Sequence, residues 1–201
     1  LKNPSQTRIL DMLNVKYIRV GASYPKDKKG FRLANKAGSA YLFRNMRWLP
    51  RAYLAEKAVV ITDEDKIIEK LKDKRFNPRK EVILEEAVNC RGTARRAPTI
   101  RNDVISILDY KPNEVIINAN IAAPKFLVLA DSYYPGWRVY IDGKPGKIFR
   151  ANYILRAVYL PEAGPHIVRY AYSPLSFKIG AGISLLGALI AFLICKTRFL
   201  W

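Results

Sequence analysis

One histidine and two cysteines are all the imidazole and thiol groups in these 201 residues. His166 stands alone, while Cys90 sits in a polar stretch and Cys195 closes an apolar run. Neither a zinc site nor a Cys90–Cys195 disulfide can be assembled from them. An extracytoplasmic domain without disulfides fits a bacterial envelope better than a eukaryotic secretory route. Phosphate-binding loops, dinucleotide fingerprints, nucleophile elbows and paired-histidine motifs are also missing, so no cofactor and no metal are expected.

Acidic residues are scarce. Seventeen aspartates and glutamates face 35 lysines and arginines, for a net charge of +18. Such an excess favours a polyanion: nucleic acid, anionic lipid headgroups or a phosphate-rich envelope polymer. No helix-turn-helix, zinc finger or RNA-binding aromatic signature is present, and nucleic acid is not expected as a partner. The carboxylates nearest to strand ends, where an acid–base pair would sit, are Asp131, Asp142 and Glu162. The turn shared with Gly143 accounts for Asp142 and the loop before Gly164 for Glu162, so the expected set of catalytic residues is empty. Internal repeats, low-complexity tracts and coiled-coil heptads are absent.

What is there is a chain half hydrophobic and 26% charged, enough for one sizeable core or two small ones. A short helix is expected from about Ser5, with Ile9, Leu10 and Leu13 on one face and Asn14 as terminator, then a strand over 17–20. Strands are expected at 31–34, 40–44, 57–61 and 81–86. A helix over 63–74 has Thr62 as cap, acids in its first turn and lysines in its last. The irregular, arginine-rich segment 89–102 reads as a linker. Beyond it the chain is nearly continuous β. Val115, Ile117, Ala119 and Ile121 alternate with polar neighbours, FLVLA from Phe126 reads as a central strand, and Asp142-Gly143 signals a two-residue hairpin. Strands at 138–141, 147–151, 154–160 and 166–172 are expected to form an antiparallel meander.

The fold expected is mainly β (α+β): an antiparallel, sandwich-like domain with one or two short helices, followed by a transmembrane helix. Residues 1–102 would form an α+β part, 103–176 an antiparallel β part, and 177–201 the span with a short basic tail. The apolar run 179–195 covers about 25 Å of a ~30 Å hydrocarbon core, and Lys178 and Lys196 can snorkel. Gly180, Gly182 and Gly187 would weaken such a helix in water. Lys196 and Arg198 beyond it, with the interfacial aromatics Phe199 and Trp201, place the tail in the cytoplasm and the bulk of the chain outside. The chain starts at Leu1 with no charged leader, and it is expected to be a piece of a longer protein.

Ligand-binding candidates gather at Pro135-Gly136. Tyr133, Tyr134 and Tyr140 can stack on sugar rings, and Arg138 and Arg150 can meet phosphates. Trp137, Val139 and Ile141 share the inward face of their strand, which leaves Arg138 and Tyr140 outward. Arg95 and Arg96 in the basic segment would face the same polymer. For His166 a structural hydrogen bond is expected.

LNVKYI from Leu13, LFRNMRWLPRAYL ending at Leu54, NPRKEVILEE, and above all the run FLVLADSYYPGWRVYIDGKPGKIFRANYILRAVYLPEAGPHIVRYAYSPLSFKIGAGISLL resemble the C-terminal region of the YfhO family of bacterial multi-spanning membrane proteins. The resemblance implies an extracytoplasmic β domain and the last span of a polytopic parent. The family resembles C-type glycosyltransferases that use lipid-linked sugars to decorate envelope polymers such as lipoteichoic acid. Its catalytic carboxylates would belong to a preceding membrane part, so no catalytic role transfers to this chain. The function expected is a non-catalytic domain that positions an anionic glycan or lipid acceptor. Expected partners are membrane lipid, a teichoic-acid-like polymer and the rest of the parent; a purely structural or protein-interaction β domain is the alternative.

Overall fold

The computed structural model describes residues 4–21, 30–88 and 102–198. Helix α1 (Pro4–Met12) stops at Asn14, whose φ of 59° lies in the left-handed region that asparagine tolerates. Strands β1 (Tyr17–Val20), β2 (Phe31–Ala37) and β3 (Ala40–Asn45) form a three-stranded antiparallel sheet in the order β1-β3-β2. Asn45 anchors this sheet to α1. Its buried Nδ2 donates to Asp11 Oδ1 at 2.6 Å and to the Val15 carbonyl at 3.1 Å. Burial raises the Asp11 carboxyl above its ordinary range, while Asn45 and Arg47 oppose that rise.

Next come β4 (Ala52–Ala55), β5 (Lys57–Val60), α2 (Glu64–Lys72) and β6 (Glu81–Leu84). The helix cap is Asp63 rather than Thr62: its carboxylate accepts the Lys66 N–H at 3.0 Å. Ile67 and Leu71 point inward, and the helix ends at Asp73. Strands β5 and β6 pair in parallel across α2, the one parallel pairing among the described strands.

Beyond residue 102 follow β7 (Val104–Lys111), β8 (Glu114–Ile121), β9 (Lys125–Ser132), β10 (Trp137–Ile141), β11 (Lys144–Gly146), β12 (Phe149–Ala151), β13 (Leu155–Leu160) and β14 (Gly164–Tyr172). They do not form a simple meander. A six-stranded sheet runs β4-β9-β13-β12-β6-β5 and a five-stranded one β11-β10-β14-β8-β7. The chain changes sheet at Lys147–Ile148 and again between β13 and β14, so the strand expected over 147–151 begins only at Phe149. Pro145 lacks an N–H and sits in the edge strand β11, where that donor is dispensable. The boundary expected at residue 102 falls within the chain path of one sheet, which takes β4, β5 and β6 from before it and β9, β12 and β13 from after it.

The fold is mainly β, as its alternation implies, and β9 is its middle layer. Phe126 and Val128 face a core shared with Met12, Ile67 and Leu71 of the helices, whereas Leu127 and Leu129 face Ile117, Val158 and Tyr170 between the sheets. Truncating one such leucine to alanine costs about 2–5 kcal/mol. Asn152, at φ 47°, joins β6 to this layer: its Oδ1 accepts the Ile83 N–H at 2.9 Å and its Nδ2 donates to the Tyr53 hydroxyl at 3.1 Å.

Two residues after β14 the chain enters α3 (Leu175–Arg198), 24 residues long and about 36 Å at the helical rise. The helix is therefore longer than the apolar run 179–195, because Leu175 and Phe177 extend its apolar surface one turn earlier. Leu175–Phe192 has a mean hydropathy of 1.8 and none of it is buried against the domain. By length and composition this helix can cross a bilayer.

Candidate functional site

The β9–β10 connection places four of the candidate residues in one cleft. Tyr133, Tyr134, Arg138 and Tyr140 line a cavity of about 540 Å³, with Trp137 and Lys147 completing it. Among the described residues no carboxylate lines it. Tyr134 is 63% exposed and Tyr133 41%, so their rings are open to a ligand. Arg138 is exposed, and none of the ion pairs among the described residues includes it. Lys147 comes from the far side of the β11 turn, where Glu86 pairs with it at 2.5 Å and the Phe149 ring lies 5.2 Å away. Its sequence distance from Tyr133 hid it from sequence reasoning; only the adjacency of β10 and β11 brings it in.

The connection is shaped by Gly136. Its φ is +99°, and a Cβ there would lie 3.0 Å from both the Pro174 Cβ and the Tyr172 ring, so no larger residue fits without displacement. Ser173 N–H donates to the Gly136 carbonyl at 2.8 Å, and the Trp137 and Tyr172 rings sit 5.2 Å apart. The cleft thus adjoins the start of α3.

Beneath Trp137 lies a buried cation. The Arg156 side chain is 3% exposed, with its guanidinium 4.1 Å from the Trp137 ring centroid and 5.5 Å from that of Tyr170. Its Nη2 donates to Asp131 Oδ2 at 3.0 Å. Arg51 reaches Asp131 Oδ1 at 2.9 Å, and the Tyr110 hydroxyl meets both Arg51 and Asp131. Burial lowers Arg156 from the usual arginine value, with Asp131 opposing, and raises the Tyr170 hydroxyl. Asp131 is therefore held between two arginines, and its geometry is that of a charge anchor for the cleft floor.

A second cavity, about 670 Å³, opens on the other side of the β10–β11 hairpin and is lined by Asp142, Lys144, Phe149, Tyr159 and His166 among others. His166 Nδ1 is 2.7 Å from Asp142 Oδ2, and Nε2 is 2.9 Å from the Glu162 carbonyl. Both ring nitrogens are thus engaged by protein groups, and the expected structural hydrogen bond is in place. Burial pushes the Asp142 carboxyl up, but the His166 bond and the Ile167 N–H at 2.8 Å outweigh it and hold the carboxyl below its usual range. Among the described residues no three His, Cys, Asp or Glu side chains gather as a metal site would require.

Arg150 is not in the cleft. It lies in β12, its Nε 2.5 Å from the Tyr153 carbonyl and 3.2 Å from Glu85, with Glu64 at 3.6 Å. The two glutamates are more than 60 residues away in sequence, which is why Arg150 reads as free from sequence alone. Arg95 and Arg96 lie outside the described residues.

No family model matches the chain and no solved structure resembles it. Among curated proteins it is similar to one from Bacillus subtilis (strain 168) named uncharacterized protein YfhO, 30% identical over 84 residues. The match takes in 42% of this chain and 10% of that protein's length.

Proposed function

We propose that this chain is the membrane-tethered, extracytoplasmic β domain of a longer glycosyltransferase-like protein of the bacterial envelope, and that its cleft holds an anionic glycan or lipid-linked acceptor. One observation carries the reading: Tyr133, Tyr134, Arg138 and Tyr140 converge on a carboxylate-free cleft beside the first turn of an apolar helix. Open tyrosine rings suit sugar faces, and an unpaired guanidinium suits a phosphodiester. The apolar, unburied helix α3 supports a membrane context, and the basic Lys196 and Arg198 at its C-terminal end support an outside location for the domain.

Three of the described titratable groups are engaged in structure. Asp131 is clamped by two arginines, and Asp142 and His166 hold each other, so the domain binds and presents while chemistry resides elsewhere in the parent. The same engagement favours a second reading, a purely structural domain. Titration of the full chain in detergent with a poly(glycerol phosphate) polymer separates the two. Binding that weakens several-fold in Arg138→Ser and Tyr134→Ala, and that falls with salt, supports the acceptor role. Equal binding by wild type and variants, or a flat salt response, overturns it and leaves the structural reading.

A further inference from the structure

The strands β1, β2 and β3 contain no aspartate or glutamate. Register sets Arg44 directly between Tyr17 on β1 and Arg32 on β2. Opposed residues share a sheet face, and so do residues two apart on a strand, which adds Arg19 to the same face. All four side chains are exposed, and β2 is exposed along both faces after its first residue. The opposite face carries Ile18, Phe43 and Leu33, and Phe43 is buried. Among the described residues no ion pair includes Arg19, Arg32 or Arg44. Arg32 directly opposite Arg44 is a like-charge pair that costs stability unless an anion offsets it.

Chain connectivity places this sheet. It joins the body through residues 46–51, where Ala130 N–H donates to the Arg51 carbonyl at 2.7 Å. Arg51 touches Tyr110 near the end of β7, and the Asn113 carbonyl just beyond it accepts the Tyr172 N–H at 2.8 Å. Three residues after Tyr172, α3 begins. The arginine-faced sheet therefore hangs from the end of the domain out of which the apolar helix leaves. Lys16, with its Nζ 5.0 Å from the Trp48 ring and 5.9 Å from the Tyr17 ring, adds a cation and two aromatics of the kind found at membrane interfaces.

We propose that the Arg19–Arg32–Arg44 face is a membrane-surface contact that takes anionic lipid headgroups from the same bilayer that receives α3. It is separate from the cleft, and it holds whether or not the cleft binds a glycan. Each guanidinium can give a headgroup phosphate two parallel N–H bonds. The helix keeps the face at high local lipid concentration, so contacts that are weak one by one suffice.

The test uses the full chain with Cys90→Ser and Cys195→Ser, and a fluorophore on Asn35→Cys. Asn35 opposes Leu42, which opposes Arg19, so the label sits on the arginine face. The protein is reconstituted into nanodiscs that carry a headgroup quencher, made of phosphatidylcholine alone or enriched in phosphatidylglycerol. Quenching several-fold stronger in the anionic discs, and abolished by raised salt, is the expected result. The triple variant Arg19→Ser, Arg32→Ser, Arg44→Ser should return the signal to the phosphatidylcholine level with an unchanged circular dichroism spectrum. Should that variant misfold, the lipid and salt comparison on wild-type arginines still decides. Equal quenching in both discs overturns the proposal, as does shielding of the label by soluble poly(glycerol phosphate) with no response to anionic lipid.

Discussion

The Arg156 guanidinium is stacked 4.1 Å from the Trp137 ring and bonded to Asp131 at 3.0 Å, which fixes a charge under the floor of the cleft. Asp131→Asn leaves that charge buried without its carboxylate, and breaking a buried pair from one side costs about 3–5 kcal/mol. Arg156→Met, which removes the charge together with its need for a partner, should cost clearly less. Urea midpoints of the two variants check the order.

Gly136 and Gly143 both have positive φ, +99° and +78°, but only Gly136 is crowded. Alanine at Gly143 should cost about 1 kcal/mol, the backbone term alone. Alanine at Gly136 must also displace Pro174 and Tyr172, and its melting temperature should fall further than the roughly 2–4 °C per kcal/mol expected at this size. Parallel thermal melts test the difference.

Asp142 is held below the ordinary carboxylate range by His166 and the Ile167 N–H, against a burial effect of opposite sign. The unfolded chain therefore binds this proton at a higher pH than the native one does. Its contribution to stability is present above the ordinary aspartate value of about 3.9 and is lost as pH falls through the lower native value. The stability gap between wild type and Asp142→Asn should widen as pH rises from acid to that range and then level off, and it should be small because the side chain is 46% exposed. Denaturation at stepped pH measures it.

Leu186 lies near the middle of the apolar window of α3. Arginine there costs about 2.5–3.5 kcal/mol of insertion, and Leu186→Arg should shift the chain from the alkali-resistant membrane fraction toward the extractable one. An unchanged distribution would show that α3 is not the anchor.

The alternation of β8, the doubly apolar β9 and the Asp142-Gly143 hairpin were legible because each is a local pattern, and φ values of 52° and 78° at that turn fit the residues that occupy it. That Tyr133, Tyr134, Arg138 and Tyr140 lie close together was legible for the same reason, since they fall within eight consecutive positions. What stayed hidden depends on pairing across long separations. The switch of sheets at Lys147–Ile148, the parallel β5–β6 pair, the partners of Arg150 and the Asp131 anchor are all decided by topology, and a strand's side chains carry no mark of which sheet they will join.

Strand β14 runs into α3 through only Ser173 and Pro174, and Ser173 is itself tied to Gly136. A joint this short behaves as a splint. With α3 in a bilayer, the orientation of the whole domain is geared to the helix: a change in helix tilt or rotation, imposed for example by bilayer thickness, would turn both sheets with it. The clearance between cleft and lipid would then be adjusted from within the membrane.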